Sequence, residues 1–262
     1  MIEPEIPPGA GRELRARYTA ADIRVFTAEE ARRFVPRGSG DPLNDTALAW
    51  ELLYRLEPDL YDQLACAERL HPGLIGWLPG AAKRIVEVGA GTGRLTLDLI
   101  GRGCEVVAIE PALPLREILL RKLAAAGPGH EQVRVLHGFF DDLPLPGGFA
   151  DLVVACSAFT PAAGHGGDPG LSEMERVCRP GGCVAIIWPN DIGWLTARGY
   201  QYVSFDGPMA VEFPNHEKAV ELSEIFYPRA AEEVRRRRLR QVPFEVLGIN
   251  PPRDVAFKLL PR

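Results

Sequence analysis

The sequence predicts an α/β fold: a doubly wound, mainly parallel sheet with helices on both faces and a C-terminal antiparallel hairpin. Between residues 84 and 188, short apolar runs rich in β-branched residues alternate with segments at helical spacing, which is typical of parallel strands joined by crossover helices. Two last strand-like runs, at 244–249 and 255–260, are separated by a short segment with two prolines that leaves room only for a tight reversal. We therefore expect these last two runs to pair as antiparallel strands.

Each element follows from the local pattern. Apolar residues at helical spacing predict the helices, and Thr27 followed by Glu30 predicts a capping box inside the first of them. Pro58 divides the next two helices, because proline disrupts a helix interior. The predicted helices are 20–34, 47–56, 60–70, 95–101, 115–126 and 171–178, and the predicted strands before the hairpin are 85–88, 105–109, 133–136, 151–156 and 184–188.

Size and composition exclude several classes of protein. With 262 residues, of which 46% are hydrophobic, the chain can bury one full core. Its net charge of -5 disfavours nucleic-acid-binding and membrane-surface proteins, both of which need a dominant basic face. No apolar run is long enough to span a bilayer, and Met1 begins no signal-peptide pattern. The five cysteines include no C-x-x-C pair, so buried free thiols and a cytoplasmic location are expected.

A glycine-rich turn follows the first predicted strand. The β-branched run at 84–88 predicts a buried strand, and the leucines after the turn predict an amphipathic helix. Gly89, Gly91 and Gly93 lie between the two, and residues without a Cβ allow both a tight turn and a ligand against the main chain. A dinucleotide fingerprint would need a glycine where the chain has Arg94, which disfavours a nicotinamide enzyme.

The spacing is acid-x-G-x-G-x-G, with Glu87 in the end of the strand, and it resembles motif I of the class I S-adenosylmethionine-dependent methyltransferases. The second strand ends in Glu110, and an acid at that tip can accept hydrogen bonds from both hydroxyls of a ribose. Asp-Leu-Val-Val at 151–154 and the Arg-x-x-Arg-Pro-Gly-Gly passage at 176–182 resemble two more landmarks of this family. The resemblance is closest over residues 84–188.

The resemblance also implies a seven-stranded sheet, a helical lid ahead of motif I and a cap between strands five and six. The expected divisions are a partly disordered arm at 1–40 and one methyltransferase domain at 41–262, made of a lid (41–80), a cofactor-binding core (84–188), an acceptor cap (189–241) and a terminal hairpin (242–262). Trp50, Tyr54 and Tyr61 in the lid could cover the ligand or simply pack on the sheet. The aromatic residues of the cap could likewise pack on one another or form the contact of a homodimer.

S-adenosylmethionine is the cofactor that the resemblance implies. Family members often carry Gly-Asp-Ala after strand three, where the acid meets the adenine amino group, but this chain has Phe139 at that place and its acids follow later. The adenine could be held by Phe139 or Phe140 with backbone amides, or by Asp141 as a substitute acid. The expected cofactor-binding residues are Glu87, Gly89, Ala90, Gly91, Thr92, Gly93, Glu110, Pro111, Phe139, Phe140, Asp141 and Ser157.

The implied reaction is an in-line displacement that moves a methyl group from a sulfonium to a nucleophile. Because the donor is already activated, orientation supplies much of the rate, and a neutral nitrogen acceptor needs little more. A hydroxyl acceptor usually needs a general base, and histidine titrates near neutral pH. His165, in the loop after strand four with Asp168 near it in sequence, is the expected base, and His216 in the cap is its competitor. No His, Cys and Asp cluster has metal-ligand spacing, so no metal is expected.

An acidic chain with an aromatic cap favours a small organic acceptor, methylated on oxygen or nitrogen. Few lysines and many alanines and glycines indicate a GC-rich bacterial genome and, by analogy alone, natural-product biosynthesis or a quinone-like pathway. We expect the acceptor between residues 157–168, 188–194 and 200–213, near the carboxyl ends of strands. An RNA or protein methyltransferase and a non-enzymatic methyltransferase-like binding module are the alternatives.

Overall fold

The structure, a computed structural model, describes Leu14 and residues 17–35 and 46–262. Residues 1–13 of the predicted N-terminal arm lie outside the described part of the chain. The chain divides into two compact units. One, the helical unit, comprises the described residues up to Arg69 together with residues 207–251; the other, the sheet unit, comprises residues 70–206 and 252–262.

The regular elements follow one another in this order. The helices are α1 (Ala28–Phe34), α2 (Thr46–Leu56), α3 (Pro58–Ala67), α4 (Pro72–Trp77), α5 (Arg94–Leu99), α6 (Leu113–Ala125), α7 (Gly167–Val177), α8 (Ile192–Thr196), α9 (His216–Phe226), α10 (Pro228–Arg237) and α11 (Phe244–Leu247). The strands are β1 (Arg84–Val88), β2 (Glu105–Ile109), β3 (Val133–Leu136), β4 (Ala150–Cys156), β5 (Cys178–Ile187), β6 (Gln201–Ser204), β7 (Ala210–Glu212), β8 (Gln241–Pro243) and β9 (Asp254–Leu259). Short 3-10 turns occur at Ala20–Val25, His130–Gln132 and Ala163–His165.

The sheet unit is built on one seven-stranded sheet with the strand order β3-β2-β1-β4-β5-β9-β6. The first five strands in that order pair in parallel, and β9 is antiparallel to both of its neighbours. α5, α6 and α7 are the crossover helices, since each follows one strand of the parallel part and precedes the next in sequence. The predicted fold class, a doubly wound and mainly parallel sheet with an antiparallel C-terminal strand, is confirmed.

The strands in the middle of the sheet are buried on both faces. Residues 85–88 of β1 and 106–109 of β2 are buried without interruption, and so are residues 152–155 of β4. Strands covered on both faces by helices read as continuous apolar runs, which is why the sequence signal was strong here. Three of the five free cysteines, Cys104, Cys178 and Cys183, are buried, while Cys66 is exposed and Cys156 half-buried.

The terminal hairpin differs from the prediction in one of its two strands. Residues 244–247 form α11, and the partner of β9 on its free side is β6, from the segment predicted as cap. Phe244 and Leu247 are both buried, and three residues apart they share one face of a helix. Gly248, with φ +70°, then ends the helix. A short apolar run does not distinguish a strand from a helical turn, which explains the error.

The helical unit contains α1–α3 and α9–α11 with the two-stranded hairpin of β7 and β8. The predicted capping box is confirmed: Glu30 N donates to Thr27 Oγ1 at 3.2 Å, and Thr27 N donates to Glu30 Oε2 at 3.0 Å. Pro58 is the first residue of α3, as its rigid ring predicts. Among the described residues, no helix has the length and apolar character needed to cross a membrane.

The lid aromatics pack on one another within the helical unit. Trp50 stacks on Phe226 of α9 with ring centroids 6.0 Å apart, and its edge contacts Tyr61. Tyr54 and Tyr61 meet edge to face at 4.8 Å. These rings therefore pack on one another within the helical unit, and the suggestion that they cover the ligand stays a prediction.

Candidate active site

The glycine turn after β1 requires residues without a side chain. Gly89, Gly91 and Gly93 have φ values of +73°, +56° and +96°. A Cβ at Gly93 would lie 2.6 Å from Leu119 Cδ1 of α6, and one at Gly89 would lie 2.8 Å from Ala158 Cβ. The turn therefore lies directly against its neighbours, and its main chain is held in one conformation at the carboxyl end of β1.

Glu110, at the tip of β2, ties this turn to the second strand. Its Oε2 accepts from Gly91 N at 2.9 Å and its Oε1 accepts from Ala112 N at 2.8 Å. The side chain is buried, and its own N–H donates to Leu136 O in β3 at 3.1 Å. Each carboxylate oxygen has a second lone pair, so the same oxygens can also accept from ligand hydroxyls.

Glu87 lies beneath the turn and is fully buried. Burial raises the pKa of its carboxyl to about 8 from an ordinary 4.5; the hydrogen bond from Thr96 opposes this rise, and the nearby charge of Glu110 adds to it. Thr96 Oγ1 donates to Glu87 Oε2 at 2.5 Å. A cation bound nearby would favour the ionised carboxylate and lower this pKa.

Thr92 places a second polar group in the turn. Its side chain is 1% exposed, and its Oγ1 has no hydrogen-bond partner among the residues that the structure describes. Buried hydroxyls are nearly always paired, because leaving one without a partner costs about 1–3 kcal/mol. The hydroxyl can bind a polar group of a ligand that approaches the main chain of the turn.

The loop after β3 presents its two phenylalanines differently. Phe139 is 4% exposed and packs edge to face against His137, whereas Phe140 is half-buried and meets Phe159 edge to face at 5.9 Å. Asp141 is exposed in the tight turn that Asp142 N closes by donating to Phe139 O. Of the two rings, Phe140 has more surface for a ligand, so burial favours Phe140 over Phe139 for stacking.

The ends of β4 and β5 carry two strained residues. Ser157 has φ +53° and Trp188 has φ +52°, a region that costs non-glycine residues about 1–3 kcal/mol. Ser157 N donates to Ile187 O, and Trp188 N donates to Asp254 O, both at 2.9 Å. Strain of this kind is concentrated at functional sites, and here it lies at the same edge of the sheet as the glycine turn.

The predicted histidine arrangement is found only in part. His165 ends a 3-10 turn in the loop after β4, as expected, and is half-buried. Asp168, expected to orient it, forms a two-pronged ion pair with Arg198 through both carboxylate oxygens. A bidentate guanidinium contact holds the pKa of the Asp168 carboxyl below its usual value. His216 lies in the helical unit, with Nδ1 3.1 Å from Leu239 O.

Sequence reasoning missed one buried carboxylate at this edge. Asp254 begins β9 and is 4% exposed; Tyr202 Oη donates to its Oδ2 at 2.9 Å. Its Oδ1 is buried and has no hydrogen-bond partner among the described residues. The signal in the sequence was a single acid directly before the last apolar run, which resembles an ordinary strand end. Among the residues described, no cluster of His, Cys, Asp and Glu could hold a metal ion.

Comparison with known proteins shows a family similarity over part of the chain. Residues 85–182, from β1 into β5, match the family model described as a methyltransferase domain. The match includes the glycine turn, Glu110 and the arginine-proline-glycine passage at the start of β5. Residues 85–182 of this chain are thus similar to a methyltransferase domain, in agreement with the resemblance of its motifs to the class I S-adenosylmethionine-dependent methyltransferases. The donor of these enzymes supplies a methyl group already activated on a sulfonium.

Several bacterial proteins are similar to this chain. An uncharacterised methyltransferase of Mycobacterium tuberculosis is 35% identical over 142 residues, 52% of this chain and 53% of that protein. A demethylmenaquinone methyltransferase of Clavibacter sepedonicus is 32% identical over 138 residues, 51% of this chain and 53% of that protein. The chain thus spans about half the length of these curated relatives. Among solved structures, the CcbJ methyltransferase of Streptomyces caelestis is 23% identical, covering 58% of this chain and 56% of that one, with a TM-score of 0.39.

The residues around the turn fit S-adenosylmethionine, the cofactor of the methyltransferases that the chain resembles. The glycine turn admits a ligand to the main chain, the Thr92 hydroxyl is available to it, and Glu87 and Glu110 offer carboxyl groups for its amine and hydroxyls. The fold thus brings together the candidate cofactor residues of the turn that the sequence suggested, whereas sequence reasoning assigned no role to Asp254.

Proposed function

We propose that this chain transfers a methyl group from S-adenosylmethionine to an oxygen or nitrogen nucleophile of a small organic acceptor. The observation that carries the proposal is the buried Thr92 hydroxyl, which has no protein partner among the described residues and lies in the glycine turn above Glu87. A rigid turn with an unused buried hydroxyl is what a bound ligand would complete.

The proposed donor site runs along the edge formed by β1, β2 and β3. Glu87 would balance the donor's amine, and Thr92 would bond a polar group at the same end. Glu110 would accept from the ribose hydroxyls, with Pro111 following it. The loop after β3 would hold the adenine, with Phe140 stacking and Phe139 supporting it from within the core. The remaining proposed contacts are Gly89, Ala90, Gly91, Gly93, Asp141 and Ser157.

The proposed acceptor site lies at the loops that follow β4 and β5. The carboxyl ends of these strands share an edge with the glycine turn, and open α/β sheets bind ligands at that edge. The acidic charge of the chain supports a small acceptor over RNA. The name of the Clavibacter relative, a demethylmenaquinone methyltransferase, gives limited support to a quinone-like acceptor. The extension of the site to residues 200–213 stays a prediction.

His165 remains a candidate general base in this proposal, although without Asp168 to orient it. A natural-product role, a cytoplasmic location and a homodimer are also proposals, none of which changes the chemistry. The competing functions are methylation of RNA or protein and a methyltransferase-like module that binds the donor without transferring its methyl group.

Donor binding is tested first, by calorimetry with the product S-adenosylhomocysteine. Glu110→Ala should weaken binding roughly 10- to 100-fold, because two ribose hydrogen bonds to a charged group are lost. The matched control is Glu105→Ala at the opposite end of β2, where the side chain contacts only arginines among its recorded partners. Binding of a nicotinamide dinucleotide by the wild type, with none of S-adenosylhomocysteine, would contradict the assignment.

Acceptor class is tested next with donor radiolabelled in its methyl group. Small phenols, amines and quinols, bulk tRNA and a protein extract are offered in parallel, and label is expected in the small molecules. Label in tRNA or protein, with none in the small molecules, would contradict the proposal and favour an RNA or protein methyltransferase. Tight donor binding with no transfer to any of them would favour the binding module.

A further inference from the structure

Asp254 lies at the edge of the sheet where the proposed reaction would take place. β9 runs antiparallel to β5, so its first residue meets the carboxyl end of β5, where Trp188 N donates to Asp254 O at 2.9 Å. Neighbouring strands are about 4.8 Å apart, which places β9 roughly 10 Å from β4 and 14 Å from β1. This carboxylate is therefore beyond the glycine turn, on the acceptor side of the edge.

The side chain of Asp254 is buried, but only one of its two carboxylate oxygens has a hydrogen-bond partner among the described residues. Oδ2 accepts from Tyr202 Oη at 2.9 Å, and Oδ1 has no hydrogen-bond partner among the described residues. A carboxylate with an unpaired buried oxygen is costly, and a structural role would be served better by a paired or apolar residue. Asp254 lies opposite Ser204 of β6 and Trp188 of β5, at the end of the strand pairing.

Few other charges act on Asp254. Tyr202 faces it from β6, and Arg253 precedes it in the chain. Asp191, at the start of α8, accepts from Trp194 N, and Arg198 beyond α8 is engaged by Asp168. The ion pair of Glu175 and Lys258 lies four residues along β9, about 13 Å away.

We propose that Asp254 is the general base of the reaction, with Oδ1 accepting the proton of a hydroxyl nucleophile while Tyr202 holds Oδ2. The inference rests on the proposed methyl transfer and narrows its acceptor to a hydroxyl compound, since a neutral nitrogen needs no such base. Asp254 replaces His165 in this role, and Tyr202 is a positioning residue.

The step balances without a further reactant. The acceptor oxygen forms a bond to the methyl carbon, the carbon–sulfur bond breaks, and its electron pair stays on sulfur to give S-adenosylhomocysteine. The hydroxyl proton passes to Asp254 Oδ1, and the protonated acid releases it to solvent once the methyl ether leaves. Nothing is oxidised or reduced.

The titration of Asp254 suits this role. Burial raises the pKa of its carboxyl to about 6 from 3.8, while the hydrogen bond from Tyr202 opposes the rise. The group is thus mostly ionised at pH 7 and more basic than an exposed aspartate. Removal of the Tyr202 hydroxyl should raise this pKa further.

The first test needs no acceptor. Protein labelled with ¹³C at aspartate carboxyls is titrated by NMR, and we expect one resonance with a midpoint near pH 6 that is absent in Asp254→Asn and moves to higher pH in Tyr202→Phe. The matched control is Glu175→Gln, which makes the same acid-to-amide change on the same face of the sheet, away from the edge, and should leave that resonance in place. A wild type in which all aspartates titrate below pH 5 overturns the inference.

The second test uses 1-naphthol and 1-naphthylamine as matched acceptors with radiolabelled donor. Asp254→Asn should lower kcat/KM for the naphthol about 100-fold, with S-adenosylhomocysteine affinity unchanged. Tyr202→Phe should move the acidic limb of the kcat/KM profile upward in pH, and Glu175→Gln should not. Methylation of the amine alone, or of the naphthol equally well by Asp254→Asn, overturns the inference and leaves the proposed function intact.

Thermal unfolding shows whether Asp254→Asn loses activity only because it is unfolded. Because the buried charge is costly, Asp254→Asn should raise Tm at pH 8 and leave it nearly unchanged at pH 4, where the acid is protonated. A lower Tm at pH 8 would indicate a structural role and contradict the inference. If the wild type binds no S-adenosylhomocysteine or methylates neither probe, the proposed function is contradicted, and the inference that depends on it is contradicted as well.

Discussion

Two threonines four residues apart show that the same side chain can be used either for a ligand or for the fold. Thr96 donates its hydroxyl to Glu87 at 2.5 Å, so its polar group is used within the protein. Thr92 is equally buried, yet its Oγ1 has no partner among the described residues. The hydroxyl of Thr96 has a hydrogen-bond partner with or without a ligand, and so it always stabilises the fold. The hydroxyl of Thr92 would gain a partner only when a ligand is bound.

Thr92→Val tests this difference with a substitution of nearly the same shape. Without ligand, the variant should be about 1 kcal/mol more stable in urea unfolding, because an unpaired buried hydroxyl is removed. Its affinity for S-adenosylhomocysteine should fall about tenfold, which corresponds to one lost hydrogen bond. Thr96→Val is the matched control and should be less stable than the wild type by about 1–3 kcal/mol, since Glu87 loses its donor. Equal affinity in Thr92→Val and wild type would remove Thr92 from the site.

The elements that carry the donor site were predictable because their signals are local. The strand, the glycine turn and the acid at the tip of β2 all lie within residues 84–110, and each is fixed by its own sequence pattern. The outer strands depend on distant partners. β6 pairs with β9 across fifty residues of chain, and Phe244 and Leu247 turned out to be helical, because packing and not periodicity decides such short runs.

At the level of the element, the packing of the glycine turn against α6 should make Gly93 harder to replace than a glycine with open space around it. Gly93→Ala places a methyl group 2.6 Å from Leu119 Cδ1 and also strains a residue with φ +96°. Gly101→Ala is the control, with φ +82° and no neighbouring atom within 4 Å of the added Cβ. Strain alone costs about 1 kcal/mol, so Gly101→Ala should lose that much in urea unfolding and Gly93→Ala roughly 2–3 kcal/mol. Equal losses would mean that Leu119 moves away without cost.

At the scale of the molecule, the candidate site joins residues that the sequence keeps far apart. Glu87 and Glu110 lie 23 residues apart at the ends of the neighbouring strands β1 and β2, but Asp254 follows them by more than 140 residues and reaches the edge only because β9 reverses beside β5. Motif resemblance therefore pointed to the candidate donor residues and gave no role to Asp254. The acids at both places share one physical property, burial that opposes their ionisation.

That property makes the stability of the whole protein depend on pH. The folded-state pKa values of Glu87 and Asp254, about 8 and about 6, lie above their ordinary values of 4.5 and 3.8. The native state then binds more protons than the unfolded chain between pH 4 and pH 8, so these groups lower the free energy of unfolding as pH rises. Acids in ion pairs, such as Asp151 and Glu30, have lowered pKa values, so they stabilise the folded state until the pH falls below about 4. The stability maximum should consequently lie near pH 5.

Urea unfolding at fixed ionic strength, from pH 4 to pH 8.5, measures this dependence. We expect the free energy of unfolding to fall by about 5 kcal/mol between pH 5 and pH 8, most of it from Glu87. Glu87→Gln keeps an oxygen for the Thr96 hydroxyl but cannot ionise, so it should flatten the curve above pH 5. Glu105→Gln, which changes a half-buried carboxyl on the neighbouring strand, is the matched control and should leave the slope unchanged. A wild-type curve that rises from pH 5 to pH 8 would show that both carboxyls ionise in the folded protein without cost, for instance through water that enters beneath the turn.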